Sequence, residues 1–324
     1  MKTTDGRELP EYGAASHVRQ TPGPQKNWQD SVVLIWWDLE RQVGGWHRIG
    51  HEVNAGEGGM IALWNTVYSP DGIYKRTTYE PLRKSDLLAR GFGAGDTCRC
   101  EYVNGEHVWT IEDGDLRARI VHRDTGPNVD CYPKSATMAD FATGHLDIPG
   151  RVTGVLAVAG REYPINGLSV RDHGWGPRDW GSVLTHRWVA GTAGAEFSFI
   201  ALSWYAPDEA MASFGWVVRN GEITYAEKLD ILTYVEVDGA SNRGGQVRFE
   251  LTTGEILEIE CTPLTKPVAS VHQVMCCIDV LCRFTCNDSI VGICDFESSS
   301  NPQQGSRRPR RLGGTIVGNG FFPA

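Results

Sequence analysis

Residues 58–79, GGMIALWNTVYSPDGIYKRTTY, contain two runs rich in aromatic and β-branched residues, parted by Ser69-Pro70-Asp71-Gly72. Such runs suit a half-buried pleated surface, and the four residues between them are a turn signal, so the stretch reads as a β-hairpin. The device recurs. Asn104-Gly105 and Asp113-Gly114 punctuate residues 101–122, Asn220-Gly221 divides 214–234, and Thr253-Gly254 divides 245–261. The runs SVVLIWWD (31–38), GGWHRIGHEV (44–53) and EFSFIALSWYA (196–206) have strand length. Only KSDLLARGF (84–92) and DEAMAS (208–213) offer single helical turns. Hairpins on both sides of residue 180 predict an all-β chain of two tandem antiparallel barrels or sandwiches.

Composition agrees and narrows the function classes. The 324 residues include 11 Trp, 10 Tyr, 10 Phe and 38 Gly, as strands joined by tight turns require. A net charge of −9 argues against a general nucleic-acid binder, which needs a basic face. No apolar run reaches the roughly 18 residues of a membrane span, and the first 30 residues lack a signal-peptide core, so a cytoplasmic protein is expected. The nine cysteines, six of them at 261, 276, 277, 282, 286 and 294, show neither zinc-finger spacing nor an even disulfide framework. They read as reduced, small apolar residues of strands. The expected organisation is an arm over 1–28, domains over 29–180 and 181–302, and a flexible basic tail over 303–324 carrying four arginines.

Residues 167–182, GLSVRDHGWGPRDWGS, concentrate charge and aromatic surface. Strand alternation places Leu168, Val170 and Asp172 on one face and Ser169, Arg171, His173 and Trp175 on the other. Asp172 then follows two apolar residues on what reads as a core or cavity face, where desolvation raises a carboxyl pKa toward general-acid use. Arg171 and Arg178 are candidate partners that pull it back, and Gly174 and Gly176 permit a bulge. The same residues also suit an ion pair with an aromatic lid at a barrel end, and residue chemistry leaves both readings open.

The motif GLSVRDHGWGPRDW resembles the signature of the tandem lipocalin-like proteins that include carotenoid 1,2-hydratase, AttH-like and kievitone-hydratase-like proteins and fungal decalin-forming cyclases. The stretches WHRIGHEVNAGEGGMIALWNTVYSPDG (46–72) and VGICDFESSSNP (291–302) resemble that group too, so the likeness spans roughly 30–300. It implies two lipocalin-like domains. By resemblance to the hydratase's Asp-then-Trp motif, Asp172 would be the proton donor and Trp175 the tryptophan that follows. Arg171 before the aspartate and His173 after it depart from that pattern.

The function expected is a cofactor-independent lyase, hydratase or dehydratase in type, acting on an apolar isoprenoid, steroid or aromatic small molecule. An isomerase, cyclase, C–C lyase or non-catalytic carrier fits the same architecture. Asp172, His173, Arg171 and Glu297 are the catalytic candidates. Trp175, Arg178, Trp64, His47 and Trp188 are the substrate-binding ones. His186 flanks the motif as a further acid–base candidate, and Glu297 reads equally as a brace for a motif arginine or as a second carboxyl. His47 and His51 share a strand face but lack a third ligand, so no metal is expected. No nucleotide-binding glycine pattern appears, and Ser169 lacks a nucleophile elbow.

Overall fold

The computed structural model describes residues 1–133, 142–205, 211–301 and 312–324. They contain strands and three short 3-10 turns, one of them at Lys84–Asp86, where a helical turn is expected. Residues 208–210 of the other candidate turn lie outside the described residues, and Ala212 already opens a strand. No described helix is long and apolar enough to cross a membrane. The chain forms two compact units, Pro10–Arg178 with Gly318–Ala324, and Asp179–Val317 with Met1–Leu9.

The first unit is one antiparallel sheet. Its strands are β1 (Trp28–Asp38), β2 (Val43–Glu52), β3 (Met60–Ser69), β4 (Gly72–Pro81) and β5 (Gly91–Ala94). They continue as β6 (Cys98–Val103), β7 (Glu106–Asp113), β8 (Leu116–Asp124), β9 (Gly144–Val158) and β10 (Arg161–Pro177). Among described residues the eleven-stranded order is β20-β4-β3-β2-β1-β10-β9-β8-β7-β6-β5, with β20 being Gly320–Pro323. The first and last of these ten strands, β1 and β10, therefore pair at its centre. The sheet curls into a half-barrel, so that His51 of β2 bonds the Gly93 carbonyl of β5 at 2.8 Å. Asn104 and Asn220 adopt φ of 52° and 50°, each followed by a glycine at positive φ, as tight Asn-Gly hairpins demand.

Two kinds of strand build this sheet. In β8, Leu116, Ala118, Ile120 and His122 are buried while Arg117, Arg119 and Arg123 are exposed, the alternation of a strand with one wet face. In β1 all eleven residues are buried, so both faces are covered. The apolar core takes Val32, Leu34 and Trp36 from β1, with Trp109, Ile120 and Leu156 opposite them. Cys98 and Cys100 join it, and all nine cysteines are free and buried.

The second unit is a closed barrel. Its strands are β11 (Thr185–Thr192), β12 (Ser198–Tyr205), β13 (Ala212–Arg219), β14 (Glu222–Val235) and β15 (Asn242–Leu251). Then come β16 (Ile256–Pro263), β17 (Val268–His272), β18 (Met275–Cys286) and β19 (Ile290–Ser300). The order β16-β15-β14-β13-β12-β11-β19-β18 closes because β16 also pairs with β18, while β17 extends beside β18. Phe199, Phe249, Phe284, Phe296, Cys261, Cys282 and Cys294 fill its interior.

Both chain ends depart from the expected free arm and tail. Residues 13–17 form a 3-10 turn with Ser16 wholly buried, and Thr4 bonds Ile223. The four tail arginines lie outside the described residues. Beyond them, Ile316 bridges Val268, and β20 pairs with β4 through Phe321 and Phe322. An edge strand with unpaired backbone groups gains from such a cover, which composition alone does not reveal. Deleting residues 318–324 should therefore lower the melting temperature by a few degrees, about 1 kcal/mol for a unit of this size. An unchanged melting curve by calorimetry would show that β20 adds nothing.

Candidate active site

The motif sits on β10, which pairs with β9 over fifteen positions and with β1 over ten, with no register shift on either side. The expected bulge at the glycines is absent. Gly174 instead makes room for the Arg178 guanidinium, and Gly176, at φ 124°, lies against the Thr143 backbone. Alternation holds through the motif, but the core lies on the face opposite to the one expected. Ser169, Arg171 and His173 pair with Trp36, Leu34 and Val32, whose side chains are core, so they point inward. Asp172 points outward. Two apolar neighbours did not mark the core, because both faces of this strand are covered.

The inward residues form a closed polar network. Arg171 grips Asp124 with two bonds, Nε–Oδ1 at 3.1 Å and Nη2–Oδ2 at 2.9 Å. His122 donates through Nε2 to Asp124 at 2.7 Å and meets the Ser169 hydroxyl through Nδ1 at 2.9 Å. Burial pushes the Asp124 carboxyl up, but the Arg171 charge and the His122 bond outweigh it and hold it well below the carboxylate range. Arg171 and His173 also donate to the Ser16 carbonyl, at 3.3 and 2.8 Å, and His173 Nε2 reaches Asp30 at 2.9 Å. Both nitrogens of His173 thus face oxygens, one of a carbonyl and one of a carboxylate. Arg171 and His173 accordingly do not partner Asp172. They tie the segment around Ser16 into the half-barrel.

His47 is likewise committed. Trp36 Nε1 donates to its Nε2 at 3.0 Å, which leaves the proton on Nδ1 for Asn65 Oδ1 at 3.2 Å, and burial pushes its pKa down to about 4. It does not line a site with His51. Trp175 packs on Trp28, Leu146 and Ile148, and Tyr12 meets its face edge-on at 4.8 Å.

The outward face carries different chemistry. Asp172 lies directly opposite Asp147 of β9, a like-charge pair that destabilises a sheet unless something neutralises it. His145 Nε2 donates to Asp172 Oδ2 at 2.9 Å and stands 3.9 Å from Asp147 Oδ1. The Tyr132 ring stacks on His145 at 4.1 Å, and its hydroxyl donates to Asp147 Oδ2 at 2.6 Å. Asp147 Oδ1 has no hydrogen-bond partner among the described residues. The Asp147 side chain is 0% accessible, whereas those of His145 and Asp172 are 12% and 14% accessible.

Environment pushes the two carboxyls apart. Burial, with the Asp172 charge adding to it, raises Asp147 to about 7 against the pull of His145. Burial also works to raise Asp172, but the charge and bond of His145, then Arg178, more than offset it and leave Asp172 below its ordinary value. Arg178 is thus the one motif arginine that serves Asp172. On the same outward side, Trp46 and Trp64 stack at 5.3 Å, with Arg48 over Trp64 at 5.0 Å.

Two groups of described residues have metal-ligating donors within 4.8 Å of one another, His17–His107–Asp124 and His145–Asp147–Asp172. The spacing of His, Asp and Glu in the chain hid both, since each draws on strands or segments far apart in sequence. In the first, Asp124 is committed to Arg171, and His17 Nδ1 lies 3.1 Å from His107 Nε2. In the second, His145 and Arg178 already supply positive charge to Asp172.

The remaining catalytic candidate, Glu297, lies on β19 of the second unit. Its carboxylate accepts from His186 Nε2 at 2.6 Å, and Trp188 is its neighbour on β11.

The sequence over residues 13–302 matches the family described as "Domain of unknown function (DUF7064)". The chain belongs to that family. Among curated proteins none matches the sequence. Solved structures share the fold of this DUF7064 protein. An AttH-type protein of Nitrosomonas europaea superposes with a TM-score of 0.64 at 11% identity, over 90% of this chain and 96% of the other. Kievitone hydratase of Nectria haematococca gives 0.64 at 9% identity, over 94% and 97%. CghA in complex with Sch210972 gives 0.60 at 11%, over 93% and 98%. At these identities the likeness is one of fold, and it is the tandem lipocalin-like fold the motif pointed to.

The buried carboxyl gives a signed pH dependence. A folded-state pKa near 7 against an unfolded value near 4 means that folded Asp147 keeps a proton the unfolded chain releases. Its contribution to stability is fully present below pH 4 and is lost as pH rises toward 7. Asp147→Asn keeps an acceptor for Tyr132 and removes the titration. The melting temperature of this variant relative to the native protein should therefore climb from pH 4 to 7 and level off above. A difference constant across that range would contradict the assignment.

Proposed function

We propose that this DUF7064 protein is a lyase of hydratase–dehydratase type whose reaction centre is Asp172, His145 and Asp147. The observation that carries the proposal is the opposed carboxyl pair, one sealed and proton-holding, the other ionised and bridged to a partly accessible imidazole. Two titratable groups pushed apart by their surroundings provide an acid and a base in one place. Water addition to an alkene needs both. His145, protonated, gives its Nε2 proton to the alkene carbon, water attacks the cation formed, and Asp172 takes the proton that the water releases. Transfer of that proton from Asp172 to His145 restores the starting state. Asp147 touches no substrate in this scheme and acts through His145 as a positioning and proton-holding residue.

Trp46 and Trp64 suit an apolar substrate, since an aromatic face stabilises a desolvated cation by about 2 kcal/mol. The printed name of kievitone hydratase supports the choice of water addition among the reactions this fold could host.

The test is incubation with prenylated phenols, kievitone first, read by mass spectrometry as gain of one water. Asp172→Asn should lose about 10²- to 10⁴-fold in turnover while keeping its melting temperature and ligand affinity. Full activity in that variant would overturn the assignment. Tight binding of the panel with no hydrated product would favour a carrier over an enzyme.

A further inference from the structure

The second unit repeats the device. Its first strand β11 pairs with its last strand β19, and β19 with β18, as β1, β10 and β9 do in the first unit. On β19 the side chains of Cys294 and Phe296 fill the barrel, so Glu297 points outward, as Asp172 does on β10. Directly opposite Glu297 on β18 stands Asp279, the counterpart of Asp147. Two unrelated stretches of sequence thus place an outward carboxyl pair on the same pair of strands, and each pair has an imidazole bonded to its partly accessible member.

The second imidazole is held more completely than the first. His186 Nε2 donates to Glu297 Oε1 at 2.6 Å, and its Nδ1 lies 2.6 Å from the Ser299 hydroxyl. A hydroxyl can donate to a neutral Nδ1 or accept from a protonated one, so His186 gains or loses its proton without losing a bond. The Arg171–Asp124 pair has no such freedom. A purely structural brace has no need of a reversible proton.

The surroundings indicate what would use it. Trp188 is the β11 neighbour of Glu297, Trp204 is the β12 neighbour of His186, and the Trp180 ring lies 5.9 Å from His186. Among the described residues the charged and titratable groups around Glu297 include His186, Asp279, Cys277 and Arg187. We propose that the second unit holds its own acid–base site, Glu297 with His186 as its positioning partner, which takes the hydroxyl or carbonyl end of an aromatic or otherwise apolar ligand. The proposal is argued from the second unit's own residues and does not depend on the reaction proposed at Asp172.

The test uses the full chain and 2-naphthol, an apolar aromatic with one hydroxyl, titrated by calorimetry between pH 5 and 9. Native protein should bind it, with an affinity that depends on pH. Glu297→Gln, at unchanged melting temperature, should weaken binding at least tenfold and flatten the pH dependence, and Glu297→Asp should restore part of both. Ser299→Ala should shift the pH profile with little change in maximal affinity. The proposal is overturned if native protein does not bind 2-naphthol or if Glu297→Gln binds it equally well. Failure here leaves the turnover test of Asp172 untouched, and failure there leaves this one untouched.

Discussion

The register between β9 and β10 is the constraint on which the rest depends. Fifteen consecutive pairs without a shift put Asp172 opposite Asp147, and the pleat sends Arg171 and His173 the other way. A slip of one residue would exchange the two faces, burying Asp172 in the half-barrel and turning Arg171 away from Asp124. The Arg171–Asp124 pair resists such a slip. Removing one partner of a buried ion pair costs about 3–5 kcal/mol, a large share of a domain's stability. One strand therefore carries an ion pair on its inner face and half of an opposed carboxyl pair on its outer face.

That division explains how a like-charge pair persists in a sheet. Opposed carboxylates are unfavourable at every pH where both are ionised. Here one of them holds its proton to about pH 7, and His145 and Arg178 compensate the other. The second unit reaches the same arrangement with Glu297, Asp279 and His186, although its barrel closes and its interior is lined by phenylalanine and cysteine.

The fold was legible because its signals are local. Asn-Gly turns, aromatic runs and the absence of helical periodicity each arise within a few residues, and the hairpins at Asn104 and Asn220 stand where the chain announced them. Strand alternation in the motif was legible too. The face was not, since β1 and β10 are covered on both sides and Val170 beside Asp172 carries no information about which side is core. The partners were also out of reach. Asp124, His145 and Asp147 come to the motif across β8 and β9, and Ser16 from the chain's first turn. His145-x-Asp147, two polar residues on one face of an apolar strand, was the signal that could have pointed to the centre. Arg171 and His173, read as catalytic candidates for their charge, bond Asp124, the Ser16 carbonyl and Asp30.

The central claim is that Asp147 and Asp172 differ in protonation at neutral pH. It is tested most directly by the 13Cγ chemical shifts of the aspartates in labelled protein, followed from pH 4 to 9, with Asp147→Asn supplying the assignment. The account predicts one aspartate signal, lost in the variant, that stays protonated through pH 6 and titrates near 7, while Asp172 remains ionised throughout most of the range. Two carboxylates both ionised at pH 5 would contradict it.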